Sequence, residues 1–143
     1  MRKIHKSALV RHSADLLFDL VDDIESYSKF LPWCRASRVL KREGNMVEAE
    51  LEIARGRFQQ TFATRNFNDP GRQIHMTLLR GPFTHLEGVW RFQPLRENAS
   101  KITLDLEFEM ASRLGRLAFG PVFNHICETL VDAFTQRARS LYG

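Results

Sequence analysis

The sequence predicts an α+β fold in which a curved antiparallel sheet of about seven strands wraps around one long C-terminal helix. Three observations predict it. Segments of alternating apolar and polar residues follow one another from Arg35 to Met110 with only turn residues between them, as in an antiparallel meander. One face of each segment is apolar, so something must cover the sheet. Only the stretch from Val122 to Leu141 has the length and the helical period to be that cover.

Taken in order, Lys3 to Arg11 alternates, with Ile4, Ala8 and Val10 on one side, and reads as a first strand. Ser13 starts a helix with Asp15 in its first turn, where a carboxylate suits the helix dipole, and with Leu16, Leu17, Leu20, Val21 and Ile24 as its apolar face. A second short helix over Glu25 to Phe30 ends at Pro32. Arg35 to Arg42 is a strand closed by the turn residues Gly44-Asn45. Met46 to Ala54 puts Val47, Ala49, Leu51 and Ile53 inward and Glu48, Glu50 and Glu52 outward. Phe58 to Phe67 is the next strand, followed by an Asn68-Asp69-Pro70-Gly71 turn. Gln73 to Leu79 groups Ile74, Met76 and Leu78, and Gly81-Pro82 breaks the run. His85 to Leu95 sets Leu86, Gly88, Trp90 and Phe92 against Glu87, Val89, Arg91 and Gln93. Ile102 to Met110 is the last strand, giving the order β-α-α-β6-α. A slip of one residue in any strand would turn its apolar set outward, so the register is well specified.

At 100° per residue, Val122, Phe123, Ile126, Cys127, Leu130, Val131, Ala133, Phe134, Ala138 and Leu141 fall in an arc about 180° wide, with Arg137 the only intruder. A surface helix needs an apolar stripe of only about 100°. Leu114, Leu117 and Ala118 point the opposite way, and Gly120-Pro121 sits at the change of phase. Since proline removes a helical hydrogen bond and clashes with the preceding turn, a kink or restart is expected there. Leu114 to Phe119 would then form a separate entrance segment.

The 143 residues suit a single domain, residues 1–143, with a core that needs no staples. Hydrophobic residues at 43% and charged residues at 27% exclude a disordered chain. Eleven Phe against two Tyr imply a large, dry interior. Cys34 and Cys127 have no partner motif, so a disulfide framework is not expected. The N-terminus lacks a signal peptide's apolar core, and no run reaches the length of a membrane span, so a cytoplasmic location is expected. A net charge of +4 permits contact with RNA or an anionic membrane surface.

Catalytic motifs are missing. There is no nucleophile elbow, no P-loop and no dinucleotide fingerprint. His5, His12, His75, His85 and His125 show no metal-ligand spacing, so no metal site is expected. The carboxylates of Glu48, Glu50 and Glu52 and of Asp105, Glu107 and Glu109 lie on outward strand faces, where acid catalysis has no raised pKa to use. Cys34 has no framing base and reads as structural. No catalytic residue is assigned and the protein is expected not to be an enzyme.

Several blocks in this element order are distinctive: Tyr27-x-x-Phe30-Leu31-Pro32-Trp33-Cys34, Gly81-Pro82-Phe83 before Leu86-x-Gly88-x-Trp90-x-Phe92, and Phe119-Gly120-Pro121-Val122-Phe123 with Ala133-Phe134-x-x-Arg137-Ala138. Over nearly its whole length the chain resembles the coenzyme Q-binding branch of the START-like (polyketide cyclase/lipid transport) superfamily. The resemblance implies a helix-grip fold that holds ubiquinone or a related prenyl quinone as a bound lipid and supports respiratory electron transport. Bacterial members of the branch include a ribosome association toxin, which implies association with the 50S subunit and inhibition of subunit joining. A translation regulator that binds no quinone is the alternative, and a polyketide cyclase-type enzyme a more distant one. No DNA partner is implied; transient contact with a membrane surface is.

A lipid cavity between sheet and helix would draw its lining from Phe62, Met76, Leu78, Trp90, Phe92, Phe123, Ile126 and Leu130. The rigid corner Phe30, Pro32 and Trp33, with Phe83 and Phe119, would form its mouth. The same residues would also serve simply to fill a core. A prenyl tail suits such a lining, since burial yields about 0.8 kcal/mol per CH₂. A quinone head group also needs one or two polar partners, for which Gln60, Thr64, His85 and Cys34 are all open. For a ribosome, the candidates are the clustered cations Arg35, Arg38, Lys41 and Arg42, which would contact phosphates.

Overall fold

A computed structural model describes every residue from Met1 to Gly143. The strands are β1 (Arg2–Val10), β2 (Cys34–Glu43), β3 (Met46–Arg55), β4 (Phe58–Asp69), β5 (Gln73–Arg80), β6 (Phe83–Arg96) and β7 (Ala99–Met110). Between β1 and β2 lie α1 (Ala14–Asp22) and a 3₁₀ helix (Ile24–Lys29); α2 (Arg113–Tyr142) ends the chain. All seven strands form one antiparallel sheet in the order β1-β7-β6-β5-β4-β3-β2. The meander β2 to β7 is therefore completed by β1, which returns to pair with β7 from Arg2↔Phe108 to Val10↔Ser100. Register shifts in the β2–β3, β4–β5 and β6–β7 ladders mark bulges, which bend a strand and increase its twist. The sheet curves accordingly, and its concave face holds the core.

The helix-grip expectation holds, and the alternation sorts the side chains as read. Val47, Ala49 and Ile53 on β3 and Ile102, Leu104, Leu106 and Phe108 on β7 are buried. Ser13 caps α1 by accepting a hydrogen bond from the Leu16 amide at 3.1 Å. From that start, α1 buries Leu17, Phe18, Leu20 and Val21.

The C-terminal helix corrects the expectation of a restart at Pro121. α2 runs unbroken from Arg113 to Tyr142, with Pro121 inside it. The change of phase at Gly120-Pro121 is one of polarity: Leu114 and Leu117 are 76% and 68% exposed, whereas Phe119, on the same continuous helix, is only 2% exposed. Phe119 therefore belongs to the core and not to a separate entrance segment. Pro121 cannot donate to the carbonyl of Leu117, but Leu117 and Pro121 are both exposed, so a carbonyl left without a donor there costs little. Leu141 is likewise exposed in the last turn, while Thr135, on the side read as polar, is buried and donates to the Asp132 carbonyl at 2.9 Å.

Pro121→Ala restores a helical donor at an exposed position. It is expected to raise stability by roughly 1–2 kcal/mol, less than the full intrinsic difference because the proline also stiffens the unfolded chain. Urea denaturation reads the shift. Since the helix is not broken there, ligand binding should stay at the parental level; a change in binding would revive an entrance role for the proline.

Candidate functional site

The interior is built on two aromatic clusters. In one, Phe58 stacks on Phe119 at 5.3 Å, and Phe62, Phe83, Phe108 and Phe123 meet edge to face. In the other, Phe134 meets Tyr27, Phe30 and Trp90 at 5.3, 5.3 and 5.4 Å, all edge to face. A cavity of about 80 Å³ touches both, reaching Phe62 and Phe123 of the first and Tyr27, Trp90 and Phe134 of the second. Ala49, Leu51 and Ile53 of β3, Met76 of β5, Leu86 and Gly88 of β6, Leu106 of β7 and Ile126, Cys127 and Leu130 of α2 complete most of the wall. By the same measure one water needs about 10–15 Å³, so this space takes a handful of heavy atoms and a larger ligand must widen it.

Of the lipid-lining candidates, Trp33, Phe62, Met76, Trp90, Phe123, Ile126 and Leu130 line the cavity. The other six do not. Phe83 and Phe119 are packed within the first aromatic cluster and close that end instead of opening it. Phe92 turns toward α1, edge to face with Phe18 at 5.7 Å. Phe30 packs behind Phe134, with the Arg137 guanidinium 5.0 Å above its ring. Pro32 is exposed. Leu78 pairs with Thr64 on β4 but lies beyond Thr77, the last β5 residue paired with β6.

The polar groups sort out as cleanly. Thr64 lines the cavity and donates to Asn66 Oδ1 at 2.8 Å, making one small polar spot on β4. Asn66 was findable: Phe62, Thr64 and Asn66 stand two apart, on one face of a strand. Gln60 instead donates to the Thr61 carbonyl. His85 lies on the other face of the sheet, its Nε2 3.0 Å from Glu107 Oε1. Cys34 points into the protein and donates to the Ala36 carbonyl at 3.4 Å, and burial pushes its thiol up, away from thiolate chemistry.

The remaining ionisable groups in the wall are Tyr27 and Cys127, both pushed up by burial and so kept neutral. Tyr27 donates to the Val21 carbonyl, which ties the 3₁₀ helix to α1. The cavity thus holds apolar surface, neutral donors and acceptors, and no carboxylate.

The basic candidates are exposed but paired. Arg35 reaches Glu52 at 3.5 Å, Arg38 reaches Glu50 at 2.6 Å, Lys41 reaches Glu43 at 3.1 Å and Arg42 reaches Asp22 at 3.2 Å. Glu50 lies between Arg38 and Arg80, and their hydrogen bonds hold its carboxyl below the usual glutamate value of 4.5. A depressed folded pKa contributes stability that is present above the unfolded value and drains away as pH falls through the folded one. Glu50→Gln should therefore be less stable than the parent at pH 7, with the gap closing in the acid range below 4.5. Thermal melts from pH 7 to pH 3 measure it; a gap independent of pH would contradict the assignment. Arg55 and Arg57, flanking the turn at Gly56, make no ion pair.

The outer sheet face brings together a group that sequence spacing did not reveal. One ligand atom each from His85, Glu87 and Glu107 lie within 4.8 Å of one another. Metal motifs read from a sequence are mostly helical or loop spacings, whereas these three come from two neighbouring strands.

Comparison with known proteins agrees with this architecture. The family described as polyketide cyclase / dehydrase and lipid transport matches residues 10–135. The ribosome association toxin RatA of Pseudomonas aeruginosa is 51% identical over 140 residues, covering 98% of this chain and 97% of its own. A mitochondrial coenzyme Q-binding protein COQ10 homolog B of Xenopus laevis is 31% identical, over 96% of this chain and 58% of its own. A START superfamily protein of Mycobacterium smegmatis superposes with a TM-score of 0.81 at 21% identity, covering 97% of this chain and 98% of that one.

Proposed function

The chain belongs to the polyketide cyclase / dehydrase and lipid transport family, and on that premise we propose that it is a non-catalytic protein that binds a prenyl quinone in its cavity. The observation that carries this reading is the wall itself: sixteen of nineteen lining residues are hydrophobic, and the polar exception on β4 is the Thr64–Asn66 pair. That division suits an isoprenoid body with one polar head group. A cyclase would need an acid or base facing its substrate, and the wall offers only neutral groups. Met76 is unbranched and flexible, so it is well suited to yield as a ligand enters. Such a protein would supply quinone to respiratory electron transport. Leu114 and Leu117, exposed beside Arg113 and Arg116, suit transient contact with an anionic membrane surface during loading.

The chain's two tryptophans, Trp33 and Trp90, both line the cavity. A short-tailed ubiquinone should therefore quench most of the intrinsic fluorescence with a saturable, one-site profile. Mass spectrometry of an organic extract of the purified protein should find a prenyl quinone. No quinone in the extract together with no saturable quenching would remove this reading.

A second reading is favoured by the similarity to the Pseudomonas aeruginosa toxin along almost the full length of both chains. It is association with the 50S ribosomal subunit in the cytoplasm, blocking subunit joining. The convex, charged outer surface is free for this while the cavity is occupied, so the two readings are compatible. The tagged protein should co-sediment with 50S particles at low salt and dissociate steeply as salt rises, if phosphate contacts dominate. Reversing Arg35, Arg38, Lys41 and Arg42 should weaken co-sedimentation and leave quinone quenching unchanged, with a thermal melt to account for the five ion pairs lost. Absence of co-migration at low salt would dismiss the ribosomal role.

A further inference from the structure

On most of the outer sheet face, carboxylates meet permanent cations. Glu48 meets Arg65 at 2.7 Å, Glu50 meets Arg38 and Arg80, Glu52 meets Arg35, and Asp105 meets Arg91 at 2.9 Å. The pattern fails on β6 and β7, where Glu109 is exposed without a cation partner and a second departure is more telling. Glu87 and Glu107 stand directly opposite each other across the β6–β7 ladder, and neither pairs with a lysine or arginine. Like charges directly opposite each other on a sheet are unfavourable. Each glutamate instead meets a histidine: His75 Nε2 lies 2.9 Å from Glu87 Oε2, and His85 Nε2 lies 3.0 Å from Glu107 Oε1.

We propose that His85, Glu87 and Glu107 bind a divalent transition-metal ion of the Zn²⁺ class on the face of the sheet opposite the cavity. Their ligand atoms already lie within 4.8 Å of one another. Ligand bonds of about 2.0–2.1 Å to a tetrahedral ion require the donors to be about 3.3 Å apart, so the side chains close in by at most about 1.5 Å. The three side chains are 33–41% exposed, open enough for an ion to enter and for one coordination position to remain with water. Mixed imidazole and carboxylate ligands suit Zn²⁺ better than Mg²⁺ or Ca²⁺, which prefer oxygen alone. His75, bonded to the second ligand, orients the Glu87 carboxylate from the neighbouring strand. The ion supplies the positive charge that the opposed glutamates lack, and it clips β6 to β7.

The test is isothermal titration of chelator-stripped, full-length protein with ZnCl₂. Visible absorption of the Co²⁺-loaded protein reports on the geometry. The expected result is one saturable site per chain, tetrahedral Co²⁺ bands, and a melting temperature raised by Zn²⁺. His85→Ala and Glu107→Gln should each weaken binding about tenfold or more and abolish the thermal rise, whereas His125→Ala, on an exposed turn of α2, should change nothing. Glu87→Gln serves as the variant least at risk of misfolding, since it removes one of two opposed like charges; it too should lose affinity. No stoichiometric Zn²⁺ binding, or equal binding by the parent and the His85 and Glu107 variants, overturns the proposal. Quinone binding plays no part in this readout, so it stands or falls separately from the cavity.

Discussion

Phe134→Ala is expected to lower the stability of the protein by about 3–5 kcal/mol and to abolish quinone binding with it. Phe134 is 1% exposed and is the common partner of Tyr27, Phe30 and Trp90. Truncation would remove the transfer free energy of the ring and three edge-to-face contacts, and it would leave a void beside one that already exists. Two effects could compete. The enlarged cavity offers more room to a ligand, but its wall loses the rigidity that positions Trp90. Against a typical domain stability of about 5–15 kcal/mol the protein stays largely folded except at the low end of that range, so binding is lost chiefly through the loosened wall. Urea denaturation gives the first quantity and fluorescence quenching the second. A loss below about 1 kcal/mol would mean that the ring is not the keystone its contacts make it.

Gly88→Leu should show the converse, loss of ligand binding with the fold retained. Gly88 lies on β6 in the cavity wall, and its backbone conformation is open to any residue. A β-carbon there would meet Met76 Cε at 2.8 Å and Leu106 Cδ1 at 3.3 Å, both ends of flexible side chains. A leucine would therefore push Met76 into the cavity and fill it. Overpacking costs about 1–3 kcal/mol, partly offset by the burial of new apolar surface in the space of about 80 Å³. Quinone affinity is expected to fall about tenfold or more, equivalent to at least about 1.4 kcal/mol. Undiminished quenching by a folded Gly88→Leu protein would place the ligand elsewhere. Co-sedimentation with 50S particles should survive this variant, which separates the two proposed roles.

The fold was legible because its strands bury one face only. Alternation such as Val47-x-Ala49-x-Leu51-x-Ile53 leaves a single register that keeps the apolar set covered, so even single residues were placed on the right side. The cavity wall was legible to the extent that it shares the core's own pattern, as with Met76, Trp90, Ile126 and Leu130. What alternation does not encode is which inward residues meet empty space and which meet one another. Phe83, Phe92 and Phe119 carry the same signal as Phe62, yet they are filled against neighbours contributed by α1, β7 and α2. Tyr27, from the helical segment before the meander, enters the wall only because the 3₁₀ helix folds over the end of the sheet.

The sequence by itself determined the order of elements, the face each strand presents, the presence of a covering C-terminal helix and the absence of any recognised catalytic motif. These follow from local period and residue type, which act over a few positions. The tertiary structure alone decided three things. Pro121 stays within a continuous helix, where Leu117 and Pro121 are both exposed and a carbonyl left without a donor costs little. Thr64 and Asn66 became the polar spot of the cavity, while His85 was carried to the other face. Glu87, Glu107 and His85 became neighbours through pairing of β6 with β7, a juxtaposition across about 20 residues that no spacing rule contains. Each depends on which surfaces remain in contact with water once distant segments have packed, and that is fixed only when the whole chain has closed around its core.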